Sequence, residues 1–410
     1  MNPIPIPAYV QALLDRLEAA GQEAWLVGGC VRDSLLGREP GDWDLCTAAI
    51  PQKVKAALGD MPTADVGISH GTVTALTAGG PVEITTYRRE GAYSDHRRPD
   101  RVSFTQDIGE DLCRRDFTVN AMAYHPDRGL LDPFGGREDL SRRVLRCVGD
   151  PARRFQEDAL RMLRCMRFAA VLGFQVEGLA QKALDQLSPL LAAVSRERAR
   201  GELTRLLLGD YASQALALGW QAVRAVMPEL PKRPAAFPPG IPGTLPARWA
   251  RLLWPMPLGQ AEAALEGLRF PHTSRREVLA LLACRDEPLP MPPSRVKELL
   301  ARLGPLFFQL VGLRLAGASP GEKAGLEAAR AQAQALLDGG ACLSLRNLAV
   351  TGHDLLALGC PPGPEVGRVL RALLGQVLSD ALPNRREELL AYAVRLVRPG
   401  LLKAGRGDPA

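Results

Sequence analysis

Strand-type sequence stops near residue 145, and almost everything after it reads as helix. That break constrains the fold more than any other feature. It predicts an α+β head followed by an all-α remainder. Within the head, residues 9–19 have the spacing of an amphipathic helix, and Ala24 to Val27 reads as a buried strand running into Gly28-Gly29. Val31 to Leu36 reads as helix, Trp43 to Leu45 as the centre of a strand, and Gln52 to Leu58 as helix. Thr72–Leu76 and Val82–Tyr87 alternate with β-branched residues, so a hairpin turning at Gly79-Gly80-Pro81 is expected. Beyond residue 150, apolar residues recur at helical spacing in 155–171, 178–192, 197–207, 211–226, 248–268, 275–284 and 294–316, with a last helical stretch at about 340–402. Proline clusters at Pro228–Pro246 and Pro288–Pro293 read as loops or joints. The Gly/Pro/Arg-containing C-terminal tail is expected to be disordered.

The chain has 410 residues, which suits two to four domains. Its 46% hydrophobic and 23% charged content is that of a soluble globular protein and excludes a disordered or collagen-like chain. The net charge of +6 is compatible with a nucleic-acid partner and equally with simple solubility. None of the eight cysteines has C-x-x-C spacing, and five histidines accompany them, so no zinc site is expected. No secretory leader and no bilayer-length apolar run is visible, so the expectation is a cytoplasmic protein with reduced thiols and no membrane partner.

Four clusters carry residues suited to chemistry. In Val27-Gly28-Gly29-Cys30-Val31-Arg32, a strand meets two glycines and then a helix with an arginine. Glycines let a phosphate approach the backbone and the arginine adds a cation, although a plain tight turn has the same sequence. In Gly41-Asp42-Trp43-Asp44, alternation on a strand would place both carboxylates on one face. Two such carboxylates repel unless a cation lies between them, and Mg²⁺ with a phosphate substrate suits that arrangement. A solvated acidic turn is the competing reading. Glu83, on a later strand, is a third carboxylate for the same site or a surface residue of the hairpin. Arg114-Arg115-Asp116 reads as the charged opening of an apolar helix. In the last cluster, Asp158, Arg161, Arg164 and Arg167 recur every third residue of one expected helix, among Leu160, Met162, Leu163, Met166 and Phe168. Charged groups on a buried helix need partners, and a base edge with a triphosphate would supply them.

These clusters, with Asp65-Val66-Gly67, His70-Gly71-Thr72-Val73, Val82 through Arg88 and a later Thr351-Gly352-His353-Asp354-Leu355, resemble the bacterial tRNA nucleotidyltransferases. More closely they resemble the CCA-adding enzymes of the class shared with poly(A) polymerases. The resemblance implies a polymerase-β-like head with a small mixed sheet (1–146), then a helical neck (147–210), body (211–338) and tail (339–410). It implies template-independent addition of C, C and A to the tRNA 3′ end from CTP and ATP. Asp42 and Asp44 then match metal-binding catalytic carboxylates with Mg²⁺ as cofactor. Gly28, Gly29 and Arg32 match triphosphate contacts, and Arg115 a nucleotide-contacting arginine. Asp158 and Arg161 match the pair that reads the base, and Arg164 and Arg167 further nucleotide contacts. The base-reading pair is chemically sound: cytosine and adenine both set an amine donor beside a ring-nitrogen acceptor, whereas uracil and guanine offer a carbonyl in place of the amine.

Relatives that add only the two cytidines lack part of the segment represented here by Arg88 through Val102, with Asp95-His96-Arg97-Arg98-Pro99 at its centre. Its presence leaves an enzyme adding only A as an alternative. A poly(A) polymerase would carry a basic stretch where Asp65 to Gly71 stands. A non-catalytic RNA-binding protein on a decayed head is the alternative from another class. His353-Asp354 reads as part of the tail motif rather than a metal site. Arg385, Arg386, Arg395, Arg398, Lys403 and Arg406 suit RNA phosphates or an ordinary helix surface. Monomer and dimer remain open.

Overall fold

The computed structural model describes residues 4–65, 67–91 and 102–397. Val66, the Asp95–Pro99 stretch, Arg398, Lys403, Arg406 and the expected disordered tail lie outside the described residues. The chain divides into two compact units: residues up to Pro234 with Ala264–Phe270, and Ala235–Ala263 with Pro271 onwards.

The first unit begins with α1 (Ala8–Ala19), which buries Val10, Leu13, Leu14 and Leu17, a stripe at i, i+3, i+4 and i+7. Next come β1 (Ala24–Val27), α2 (Gly29–Leu35), β2 (Asp44–Thr47), α3 (Pro51–Leu58), β3 (Thr63–Ala64), β4 (Thr72–Thr77), β5 (Gly80–Thr86), β6 (Arg88–Glu90) and β7 (Val102–Phe104). After these lie α4 (Ile108–Cys113), β8 (Ala123–His125), β9 (Gly129–Leu131), α5 (Gly136–Arg142) and β10 (Val144–Leu145). A seven-stranded mixed sheet has the order β3-β4-β5-β2-β1-β8-β9. β1 is an interior strand and all four of its residues are buried, which explains its unbroken apolar run. β2 runs antiparallel to β1 but parallel to β5, in a register that sets Asp44 beside Glu83. The β4–β5 hairpin turns one residue earlier than expected. Thr77 pairs with Gly80, whose φ of +123° only glycine accepts readily, so Gly80 and Pro81 belong to the strand.

Helices then follow as α6 (Pro151–Glu157), α7 (Leu160–Leu172), the short strand β11 (Gln175–Val176), α8 (Gly178–Leu187), α9 (Arg196–Leu208), α10 (Ala212–Leu218) and α11 (Trp220–Val226). The expected helix over 155–171 is therefore two helices. Asp158 is extended (φ −137°, ψ 104°), and its Oδ1 accepts the Leu160 N–H at 3.1 Å, the kind of local bond that draws Asp out of helix interiors.

The second unit is helical. The 294–316 window is likewise two helices, Pro293–Leu303 and Leu306–Gly317, parted at Gly304-Pro305. Pro320–Asp338 is a 19-residue helix that periodicity did not predict, because its buried stripe is Leu326, Ala329 and Ala333 rather than large apolar residues. Its legible signal was the capping box formed by Ser319 and Glu322. Asp354 serves another capping box, accepting from the Thr351 N–H and hydroxyl and from Arg386. Those bonds, Arg386 first, hold its carboxyl at about 2. This fits the reading of His353-Asp354 as a structural motif. All eight cysteines are free. No single helix among the described residues is long and apolar enough to cross a membrane.

Candidate active site

β1 ends at Val27; Gly28, at φ +79°, follows it and α2 starts at once. A Cβ on Gly28 would lie 3.1 Å from Nη1 of Arg115, so the missing side chain admits that guanidinium to the turn. Arg32 is held from two sides by three hydrogen bonds. Nε and Nη2 donate to the two carboxylate oxygens of Asp33, each at 2.8 Å, and Nη1 donates to Asn120 Oδ1 at 2.6 Å.

Asp42 and Asp44 do not share a strand. Asp42 lies in a bend, Trp43 is buried, and Asp44 is the first residue of β2. Both still line the same cleft. Burial raises the Asp44 carboxyl to about 6, helped by the negative charges of Asp42 and Glu83 and opposed by Arg115. Crowded, partly desolvated carboxylates of this kind fit a divalent cation, whose charge would offset their repulsion. Among the described residues the one compact group of three potential ligands is elsewhere, at Glu18, His125 and Asp127. There His125 is already spent: Nε2 is 2.5 Å from Glu18 Oε1 and Nδ1 accepts the Asp127 N–H at 3.1 Å.

Arg114 and Arg115 close a helix rather than open one. α4 is capped by Asp107, whose Oδ1 accepts the Gly109 N–H, and it ends at Cys113. Its fully buried Asp111 holds Arg114 at 2.7 Å and Arg115 at 3.2 Å. Burial alone would raise the Asp111 carboxyl, but the two guanidiniums leave it below its ordinary value.

α7 carries the arginine ladder, and here the structure corrects the expectation twice. Asp158 precedes the helix, where Oδ2 accepts from Nη2 of Arg198 at 2.7 Å. The arginines also have partners inside the protein. Arg161 donates to Glu157 Oε2 at 2.7 Å and to the Arg154 and Arg114 carbonyls at 3.2 and 3.1 Å. Arg164 donates through Nε to Asp116 at 2.7 Å, and Arg167 through Nε to Glu202 at 2.6 Å. Burial would raise Asp116, yet Arg164 first and Arg161 after it bring its carboxyl down to about 2.

All ten expected residues, Gly28, Gly29, Arg32, Asp42, Asp44, Arg115, Asp158, Arg161, Arg164 and Arg167, line one cleft of about 700 Å³. Sequence reasoning missed the contributions of Asn120, Arg198, Arg205 and Glu202. Glu202 had a readable signal. It falls on the apolar stripe of α9 with Ala199, Leu203 and Leu206, where a carboxylate has to have a partner.

Residues 24–146 match the family described as the poly A polymerase head domain. Residues 173–230 match the probable RNA and SrmB-binding site of polymerase A, and 244–393 the tRNA nucleotidyltransferase domain 2. A CCA-adding enzyme of Leuconostoc citreum is 36% identical over 406 residues, spanning 94% of this chain and 96% of that protein. This chain belongs to the CCA-adding enzyme family. A CCA-adding enzyme from Geobacillus stearothermophilus is 35% identical, again over 94% of this chain and 96% of the relative. The crystal structure of the Bacillus stearothermophilus CCA-adding enzyme in complex with CTP superposes with a TM-score of 0.74 at 33% identity, covering 95% of this chain and 97% of that one. As a member of the CCA-adding enzyme family, the chain is a nucleotidyltransferase with a polymerase-type head, and the expected architecture of mixed-sheet head and helical remainder holds.

Proposed function

We propose that the cleft of the first unit adds C, C and A to tRNA 3′ ends from CTP and ATP, without a nucleic-acid template, and that its cation is Mg²⁺. The observation carrying this is the convergence of residues from well-separated stretches of chain on one cleft. It combines a glycine turn, a carboxylate pair and a wall of arginines. The tRNA 3′-hydroxyl gives up its proton to water and attacks the α-phosphorus of the nucleotide, a P–O bond forms, the α–β bridging bond breaks and pyrophosphate leaves. Asp42 and Asp44 would hold the Mg²⁺, which when bound would supply charge neutralisation at the phosphate oxygens. Gly28 and Gly29 let the triphosphate reach the backbone, while Arg32 and Arg115 orient it. In this reading residues 1–146 are the catalytic head, 147–210 the neck, 211–338 the body and 339–410 the tail that grips tRNA.

Base choice falls to Asp158 and Arg161, with Arg164 and Arg167 as further nucleotide contacts. Asp158 has lone pairs left beyond its bonds to Arg198 and the Leu160 N–H, so it can accept from an exocyclic amine. Arg161→Ala is expected to let UTP and GTP in, reducing discrimination by at least about tenfold, while CTP affinity falls less. Glu157 keeps Arg154 at 2.9 Å in that variant, so it is not stranded. Unchanged discrimination would refute the assignment.

The direct test is incorporation on one tRNA lacking CCA, CA or A, offered CTP, ATP or both with Mg²⁺. Completion of all three substrates, with a clean stop after A, is expected. Extension only of the tRNA ending in CC would make the chain an A-adding partner. Long A tails would move the reading to a poly(A) polymerase, and binding without incorporation to a non-catalytic RNA-binding protein.

A further inference from the structure

We propose that Phe168 is a positioning residue for the nucleotide phosphates: its ring is the platform on which three cleft arginines are set. The inference deepens the reading of the cleft as the CTP and ATP site and rests on it. Phe168 is 4% exposed, lies on α7 and forms part of the cleft wall. Phe117 packs edge-on against it, with ring centroids 5.7 Å apart and planes at 80°. Three guanidiniums gather around the same ring. Arg167 Cζ is 3.9 Å from the centroid, Arg32 5.1 Å and Arg164 5.6 Å.

These cations come from different elements. Arg32 belongs to α2, next to the Gly28-Gly29 turn, whereas Arg164 and Arg167 belong to α7. Each is fixed at its edge by an acceptor: Asp33 and Asn120, Asp116, and Glu202 in turn. Arg32 is already held by two acceptors, but for Arg164 and Arg167 the bond along one edge leaves the guanidinium free to swing about that edge. The ring takes the remaining freedom by engaging near the guanidinium without consuming an N–H donor or cancelling charge. A further carboxylate would do both, and would also repel a triphosphate. Arg167 needs this most, because burial lowers its proton affinity and Arg164 and Arg205 add like charge. The negative face of the ring offsets part of that cost, and such contacts strengthen when desolvated. One side chain thereby aligns cations from both helices before the nucleotide arrives.

The test uses the full chain with Phe168→Leu, Phe168→Tyr and mono-, di- and trifluorinated phenylalanine at 168. Fluorine drains the ring face of negative charge with little change in volume. CTP and ATP affinity are read by direct titration, KM and kcat by incorporation, and stability by thermal unfolding. Phe168→Leu is expected to weaken both nucleotides about five- to tenfold, raising KM more than it lowers kcat and leaving discrimination against UTP unchanged. Affinity should fall stepwise with fluorination while the folded fraction at the assay temperature stays that of the native chain, with Tm falling slightly as the ring face loses its hold on Arg167, and Phe168→Tyr should bind like the native protein. Fluorinated variants that bind as tightly as the native chain, or a Phe168→Leu that lowers Tm alone, would overturn the proposal. If the native chain binds CTP but extends no tRNA, the functional reading fails while the titration series still decides the role of Phe168.

Discussion

Replacing Asp44 by asparagine is expected to abolish CCA addition and, at the same time, to stabilise the metal-free protein. The two effects share one cause. Asp44 stands at the start of β2, partly buried, with Asp42 before it in the chain and Glu83 beside it in the sheet. Burial and those two charges lift its carboxyl from 3.8 to about 6. A carboxyl with a raised folded-state pKa binds more protons folded than unfolded between these two values. Stability therefore falls as pH rises from about 4 to about 6, and the full penalty remains at pH 8. By linkage that penalty is on the order of 2–3 kcal/mol. A neutral amide in its place would carry none of it. In EDTA at pH 8 the variant should unfold at higher denaturant than the native chain, and the two should converge near pH 4. Added Mg²⁺ should stabilise the native chain and leave Asp44→Asn unmoved. Incorporation should drop by at least about a hundredfold, the usual scale for losing one group that stabilises developing charge. An Asp44→Asn chain no more stable than native in EDTA would show that the carboxylates are not strained against one another. Retained incorporation would remove Asp44 from the reaction.

What the sequence made legible about this site follows how local each signal was. Gly28, Gly29, Asp42 and Asp44 could be read because a strand, two glycines and two closely spaced carboxylates lie within one short stretch. Where periodicity alone was followed, details were lost. The three-residue spacing that Asp158 shares with Arg161, Arg164 and Arg167 points to one helix for all four. The Asp158 backbone instead breaks the helix, since an Asp side chain bonds the following N–H groups more readily than it rides in a helix interior. Arg114-Arg115 looked like a helix start because Asp116 and an apolar run follow, yet the cap lies upstream at Asp107. The arginine ladder was expected to await a ligand for its partners. Of those partners, Glu157 lies four residues before Arg161, a spacing that is readable on a helix face, whereas Asp116 and Glu202 come from other parts of the chain, and no spacing rule links residues 48 or 35 positions apart. The missed helix Pro320–Asp338 shows the same limit, because alanine fills its buried stripe and leaves little amphipathic signal.

Glu202→Leu is expected to destabilise the first unit strongly. Glu202 is 2% exposed and faces three guanidiniums. Oε2 takes Arg167 at 2.6 Å, while Oε1 takes Arg205 at 2.8 Å and lies 3.8 Å from Arg164. These cations would not suffer equally from its loss. Arg205 is more than half exposed and can turn to water, and Arg164 keeps Asp116 at 2.6 Å. Arg167 is only 14% exposed and loses its carboxylate. Leaving one charge of a buried pair uncompensated costs roughly 3–5 kcal/mol, far more than the pair contributes over an apolar substitute. That loss is large against the total stability of a domain, so the variant should show a much lower denaturation midpoint and weakened CTP binding. The cause can be separated from simple packing by a second change. In Glu202→Leu with Arg167→Met, neither charge is stranded and the stems still fill the space. The double variant should recover most of the lost stability while binding CTP poorly, because the guanidinium over Phe168 is gone. Glu202→Gln, which keeps an acceptor of the same shape, should fall between native and Glu202→Leu. If the double variant is no more stable than Glu202→Leu, the damage arises from the shape of the α7–α9 contact, and Glu202 is not the counter-charge that holds Arg167 in the cleft wall.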